Sequence, residues 1–138
     1  MAIRIVRLGG PREEGEGIRI GTVRRPPRGI PKSDFARLDF YDVWLPQLSP
    51  STELVSWIKR NSDKPENWKM FERRFLHELS APDNQRLLDL LAAISKTTNF
   101  SIGCYCENEN RCHRSILRKV LLDRNALIKW RGPLPGAL

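Results

Sequence analysis

Cysteine and histidine are scarce in this 138-residue chain, with three and two residues respectively. Three cysteines at close spacing, an odd number, do not make a secreted disulfide framework and suit thiols or ligands in a reducing compartment. No apolar run approaches the ~18 residues a membrane helix needs, and the opening MAIRIVRLGG is too short and too charged for a signal peptide. A cytosolic location with no membrane partner is therefore expected. Internal repeats and low-complexity segments are absent, and no cofactor is implied.

What is present suits an ordinary soluble domain: 40% hydrophobic and 29% charged residues. The length fits one domain with a single core, residues 1–131, followed by a flexible tail over residues 132–138. The net charge of +8 is uneven: residues 1–37 carry +5, residues 38–110 carry −3 and residues 111–138 carry +6. A fold that brings the ends together makes one positive face for an anionic partner, and the plain alternative is a solvated basic surface.

Ala2 to Leu8 alternates apolar residues with arginine and reads as a strand, Gly9 to Gly17 as a glycine-rich loop, and Ile18 to Val23 as a second strand. Arg24, Arg25 and Arg28, set among Pro26 and Pro27, form a stiff loop that displays guanidinium forks suited to phosphate or carboxylate. Phe40 to Leu45 is a short strand or extended segment. A helix of about ten residues opens at Ser49-Pro50 with Ser49 as its cap and Leu54, Trp57 and Ile58 on one stripe. A longer helix spans Pro65 to Leu79, buries Trp68, Phe71, Phe75, Leu76 and Leu79, and leaves His77 exposed. Ser80 to Asp83 reads as a capping box for a third helix with Leu87, Leu88, Leu91 and Ile94 inward.

The chain is organised around Phe100 to Leu122, which holds all three cysteines and one histidine. It reads as a strand to Cys106, a polar loop over Glu107 to Arg111, and a helix from about Cys112 to Arg124. Ile116, Leu117, Val120 and Leu121 share the buried arc with His113, and Arg114 and Arg118 flank it. The first N–H groups of a helix are unpaired and carry a partial positive charge, which attracts anions and stabilises thiolates. In an open α/β sheet this loop also lies at the carboxyl end of its strand, where ligands bind. The fold expected is α/β: one domain with a small mixed, mostly parallel sheet of three to five strands packed with about four helices.

Three chemistries compete for the cluster. The first is a pocket for a small anionic, phosphate-like or nucleotide-like ligand, built from the helix start, Arg114, Ser115 and the loop arginines Arg24, Arg25 and Arg28. In its enzymatic form Cys112 is the nucleophile with His113 as base or orienting partner. Neighbours on a helix diverge by ~100°, so Cys104 or Cys106 is expected to meet His113 more directly than Cys112 does. The second is a structural metal site from Cys104, Cys106, Cys112 and His113, right in ligand type for zinc but unusual in spacing; a redox pair among the thiols is related to it. The third is nucleic-acid binding by the basic ends, which no recognised motif accompanies. The plain alternative makes the cysteines small buried hydrophobes.

Several of these segments together resemble the YeaO-like proteins of the domain of unknown function 488 family, over Ile3 to Asn125. Gly17-Ile18-Arg19-Ile20, Arg25 and Pro27-Arg28-Gly29 are similar to the family's strand and arginine loop, with Pro26 where tryptophan is usual. Pro50 to Leu54 resembles its Pro-Ser-x-x-Leu helix start, Phe71 to Leu79 its aromatic segment ending Glu-Leu, and Cys112-His113-Arg114 its Cys-His-Arg signature. The resemblance places Cys104 at the family's strand-end cysteine, while Cys106 stands where a glutamate is usual and Glu107 follows. It implies an α/β domain with a shared site and names no reaction. A methyltransferase label carried by some members finds no support in a glycine-rich strand-to-helix turn here.

Overall fold

The computed structural model describes residues 1–106 and 112–129. The loop from Glu107 to Arg111 and the tail at 132–138 lie outside the described residues. Five strands, β1 (Ile3–Arg7), β2 (Ile18–Gly21), β3 (Val43–Trp44), β4 (Phe100–Cys104) and β5 (Ile128–Lys129), form one sheet in the order β3-β2-β4-β1-β5. Every pairing is parallel, in keeping with the expected α/β domain whose sheet of three to five strands is mostly parallel. β2 and β3 are the sheet neighbours that follow one another in the chain, and the long segment between them is the crossover that a parallel pair needs.

The four helices among the described residues are α1 (Thr52–Asn61), α2 (Pro65–Leu79), α3 (Pro82–Ile94) and α4 (His113–Leu122). All four contribute to one core with Ile3, Ile5, Ile20, Phe100 and Ile102, which stand side by side on one face of the sheet. The period of two puts Arg4, Ser101 and Arg19 in a row on the opposite face of β1, β4 and β2. Among the described residues, the four helices pack on the other face. The loop before β2 folds over the face that bears Arg19, and Glu16, buried, receives the Arg19 guanidinium at 2.8 and 3.0 Å and the Ser101 hydroxyl at 3.0 Å. Arg19 also donates to Gly10 O and Asp39 O at 2.8 and 2.6 Å, so one buried cation stitches two loops to β2. Gly21, in the next row, lies flat under the Tyr41 ring, where a Cβ would meet Cδ2 at 2.4 Å.

Helix starts differ from expectation in two places. Ser51, not Ser49, caps α1: its Oγ accepts from Leu54 N at 3.2 Å, while Glu78 on α2 accepts from both Ser51 N and Ser51 Oγ. Ser80 closes α2 by donating to His77 O, and Ala81 occupies the N-cap of α3 with no side-chain bond, so the expected capping box is not formed. Pro82, which has no N–H to satisfy, makes that tolerable. On α2, Phe71, Phe75 and Leu79 are buried as expected and His77 is exposed, whereas Leu76 lies outside the stripe at 42% exposure.

Candidate functional site

Parallel strands present all their carboxyl ends at one edge. After β2 the chain leaves toward β3 on one side, and after β4 it leaves toward β5 on the other. The crevice between β2 and β4 is therefore a topological switch point, where open parallel sheets bind their ligands. A cleft of about 690 Å³ opens there. One wall is the segment after β2, with Val23, Arg24, Arg25 and Arg28; the floor is Cys104, Cys106 and His113; the other wall is α1, with Thr52 and Lys59.

The arginine loop is held rigidly. Its carbonyls at Thr22, Val23 and Arg25 accept from His113 Nε2 at 2.6 Å, Trp44 Nε1 at 2.7 Å and the Tyr105 hydroxyl at 2.9 Å. Arg24 donates to Ser49 O and Pro50 O at 2.7 and 3.1 Å, fastening the loop to the start of α1. Arg25 and Arg28 remain exposed in the cleft, as does Lys59. Sequence reasoning missed Lys59, which has no local signal and reaches the cleft only because the first turns of α1 pack beside it.

The three thiols converge. Cys104 Sγ and Cys112 Sγ are 2.8 Å apart, and the sulfurs of Cys104, Cys106 and Cys112 all lie within 4.8 Å of one another. Cys104 and Cys112 are buried, and only Cys106 is exposed. Cys106 begins just past the end of β4, where its N–H points at Cys104 Sγ at 3.4 Å. Cys112 is the N-cap of α4 with extended backbone (φ −130°, ψ 152°). That geometry corrects the expected divergence: Cys112 is not yet helical, so its Sγ comes within 3.6 Å of His113 Nδ1. Because Nε2–H donates to Thr22 O, Nδ1 is left as the acceptor facing that thiol.

Arg114 is buried, not flanking. Its two terminal nitrogens donate to Val6 O and Cys106 O, both at 2.6 Å, which fixes the carbonyl of Cys106 against the end of β1. Ser115 is also buried, and its hydroxyl donates to Cys112 O at 2.8 Å. Both residues thus brace the backbone on either side of the thiol cluster.

Electrostatics divide the three cysteines. Hydrogen bonds from the Cys104 and Cys112 thiols hold Cys106 well below the ordinary thiol range, against its partial burial, and the Arg114 charge adds to the effect. Cys104 moves up through its contacts with Cys106 and Cys112 and through burial. Cys112, drawn down by Cys104, is pushed up further by Cys106 and by burial. Burial lowers His113 to about 4, despite its bond to Thr22 O, so the imidazole is neutral at neutral pH. The cluster can therefore present one solvent-facing thiolate backed by two buried thiol donors.

No helix among the described residues is long and apolar enough to cross a membrane. No solved structure is matched by the chain. A protein of Escherichia coli (strain K12), described as "Uncharacterized protein YeaO", is 30% identical over 117 residues, which cover 85% of this chain and 94% of that protein. The family model described as "Active DUF488-N3 subclade" matches residues 3–125, the span that contains the sheet up to β4, all four helices, the arginine loop and the thiol cluster, and the chain belongs to that family.

Proposed function

We propose that the chain is a thiol-dependent enzyme acting on a small anionic, phosphate-like substrate in the cleft between β2 and β4, with Cys106 as the nucleophile. One observation carries the reading: the only cysteine exposed to solvent shares a switch-point crevice with the exposed cations of Arg25, Arg28 and Lys59. The anion is received by those three side chains and by the start of α4, whose dipole adds partial positive charge. Cys104 and Cys112 donate to the Cys106 thiolate, as pre-set donors do toward a developing charge. His113 Nδ1 lies 3.6 Å from Cys112 Sγ and backs the cluster, Arg24 locks the arginine loop, and Arg114 and Ser115 hold the two stretches of backbone that carry the thiols.

The test is thermal unfolding in phosphate or sulfate against chloride at matched ionic strength. Saturation at a hundred times the dissociation constant adds about 2.7 kcal/mol of stability, which raises the midpoint by several degrees. The wild type should show that rise and an Arg25→Ala, Arg28→Ala, Lys59→Ala triple variant should lose it. An equal rise in both, or none in the wild type, overturns the anion site.

A second reading, a metal centre, is favoured by the mutual approach of the three sulfurs within 4.8 Å. Thiolates on one tetrahedral zinc ion, each bonded at about 2.3 Å, stand at separations that this cluster brackets. His113 would face the cluster through Nδ1 while its other ring nitrogen is held by a backbone carbonyl, the usual support for a metal-bound imidazole. Stoichiometric zinc in untagged protein, together with Cys106 alkylation only after chelation, would establish it. Metal-free protein with a reactive Cys106 rules it out.

A further inference from the structure

The nucleophile reading uses one thiol, yet three are gathered in one place, and the two that are not exposed are the closer pair. We propose that Cys106 is also a site of oxidation by hydroperoxides and that the cluster is a three-thiol relay, in which Cys106 takes the oxidant and a Cys104–Cys112 disulfide retains the oxidised state. This rests on the part of that reading that makes Cys106 the cysteine open to solvent.

The chemistry balances in three steps. The Cys106 thiolate attacks one oxygen of the hydroperoxide; an S–O bond forms, the O–O bond breaks, and the alkoxide or hydroxide that leaves takes a proton from water. Cys106 has become a sulfenic acid, oxidised by two electrons, and the peroxide has been reduced to an alcohol or water. One of the buried thiols then attacks the Cys106 sulfur, its proton passing to the departing hydroxyl, so that an S–S bond forms and water leaves. Finally the other buried thiol attacks its neighbour's sulfur, loses its proton to solvent, forms Cys104–Cys112, and expels Cys106 as thiolate.

Geometry and leaving-group chemistry set the direction. All three sulfurs lie within 4.8 Å, so each exchange needs only a small displacement, and Cys104 and Cys112 already stand 2.8 Å apart. In thiol exchange the sulfur that best bears negative charge leaves fastest. That sulfur is Cys106, which is open to solvent where water can hydrate the departing thiolate, while Cys104 and Cys112 are buried. Burial then keeps the product: Cys104 and Cys112 are each 2% exposed, out of reach of a bulky reductant. The cluster would thus register peroxide without sacrificing its nucleophile.

The experiment treats the full, reduced chain with hydrogen peroxide, quenches with acid, alkylates the remaining thiols and maps the peptides. The expected result is a Cys104–Cys112 disulfide with Cys106 still alkylated, forming roughly tenfold or more slowly in Cys106→Ser, because buried protonated thiols react poorly with peroxide alone. Cys106 is exposed, so the serine variant keeps its fold. Equal rates in wild type and variant would overturn the relay, as would a final bond that retains Cys106, or Cys106 taking up two or three oxygens while the buried pair stays reduced. The reading beneath it is scored separately, by alkylation of Cys106 in protein never exposed to peroxide. Slow alkylation there with the disulfide still formed through Cys106 would remove the enzyme reading and leave the relay; rapid alkylation with no disulfide would do the reverse.

Discussion

At pH 5, iodoacetamide should alkylate Cys106 roughly fiftyfold faster than an ordinary exposed cysteine, and the rate should change little between pH 5 and pH 8. A thiol of ordinary pKa, about 8.5, is ionised at pH 5 in only about one part in three thousand. Cys106 is mostly thiolate there, since the Cys104 and Cys112 hydrogen bonds and the Arg114 charge favour its ionised form. A more stable thiolate is a weaker nucleophile, and this takes back about half of the logarithmic gain, which leaves the factor given. Cys106→Ser removes the rapid phase entirely, since the other two cysteines are buried. Cys104→Ser should shift the pH profile of Cys106 toward that of a free thiol, because it removes the strongest of the stabilising bonds. A rate that climbs tenfold per pH unit up to pH 8 would show that Cys106 is an ordinary thiol.

Glu16→Ala should cost about 3–5 kcal/mol, the range for removing one partner of a buried ion pair. Both side chains of the Glu16–Arg19 pair are 1% exposed. The variant leaves the Arg19 guanidinium in place with only carbonyl acceptors, and Ser101 loses its acceptor as well. Denaturant unfolding reads this directly, and a loss under about 1 kcal/mol would mean that water replaces the carboxylate. The same pair makes the protein acid-sensitive. Burial alone would raise Glu16, but the Arg19 and Ser101 hydrogen bonds outweigh it and hold the carboxyl below its ordinary value. Its contribution is therefore present above the unfolded carboxylate pKa and is lost as pH falls through the lower folded one. His113 acts earlier: lowered to about 4 in the folded chain, it binds a proton first in the unfolded state, so stability declines as pH falls from about 6.5 toward 4. His113→Gln, which can keep a donor for Thr22 O, should flatten that upper window and leave the Glu16 window unchanged.

The helices and the inner strands were legible because each rests on a periodic local signal. The spacing of Phe71, Phe75 and Leu79 carries through to burial without change, whereas the alternation of β1 does not, since Arg4 is buried together with Ile3, Ile5 and Val6. The gathering of Cys104, Cys106 and Cys112 where β4 ends and α4 starts was legible too, since strand ends and helix starts follow from the same periods. Roles within it were not. Cys112 and His113 were expected to diverge because helical geometry was extended one residue too far, and a single non-helical φ at the N-cap brings them together. Arg114 looked like a flanking cation because its Cα lies at the edge of the stripe; the guanidinium reaches back to Val6 and Cys106, a long-range contact that no period encodes. Glu16 was read as part of a glycine-rich loop. The signal that could have found it was the arginine at matching positions of two apolar strands, Arg4 and Arg19, which must meet an acid if their face is covered.

The strand order also governs how the chain comes to be assembled. β4 lies between β1 and β2, and Ile3 and Ile18 both pair with Phe100. Until Phe100 has been synthesised, the two earliest strands have no common neighbour, and β5 adds to β1 later still. Of the pairings in the sheet, only that of β2 with β3 closes over a short span. Contacts this distant in sequence slow folding, since the long loops must close before any pairing rewards them. On the ribosome, α1, α2 and α3 emerge with their apolar stripes before the sheet that covers them exists, so the nascent chain waits in a partly folded state for the segment that also delivers its thiols.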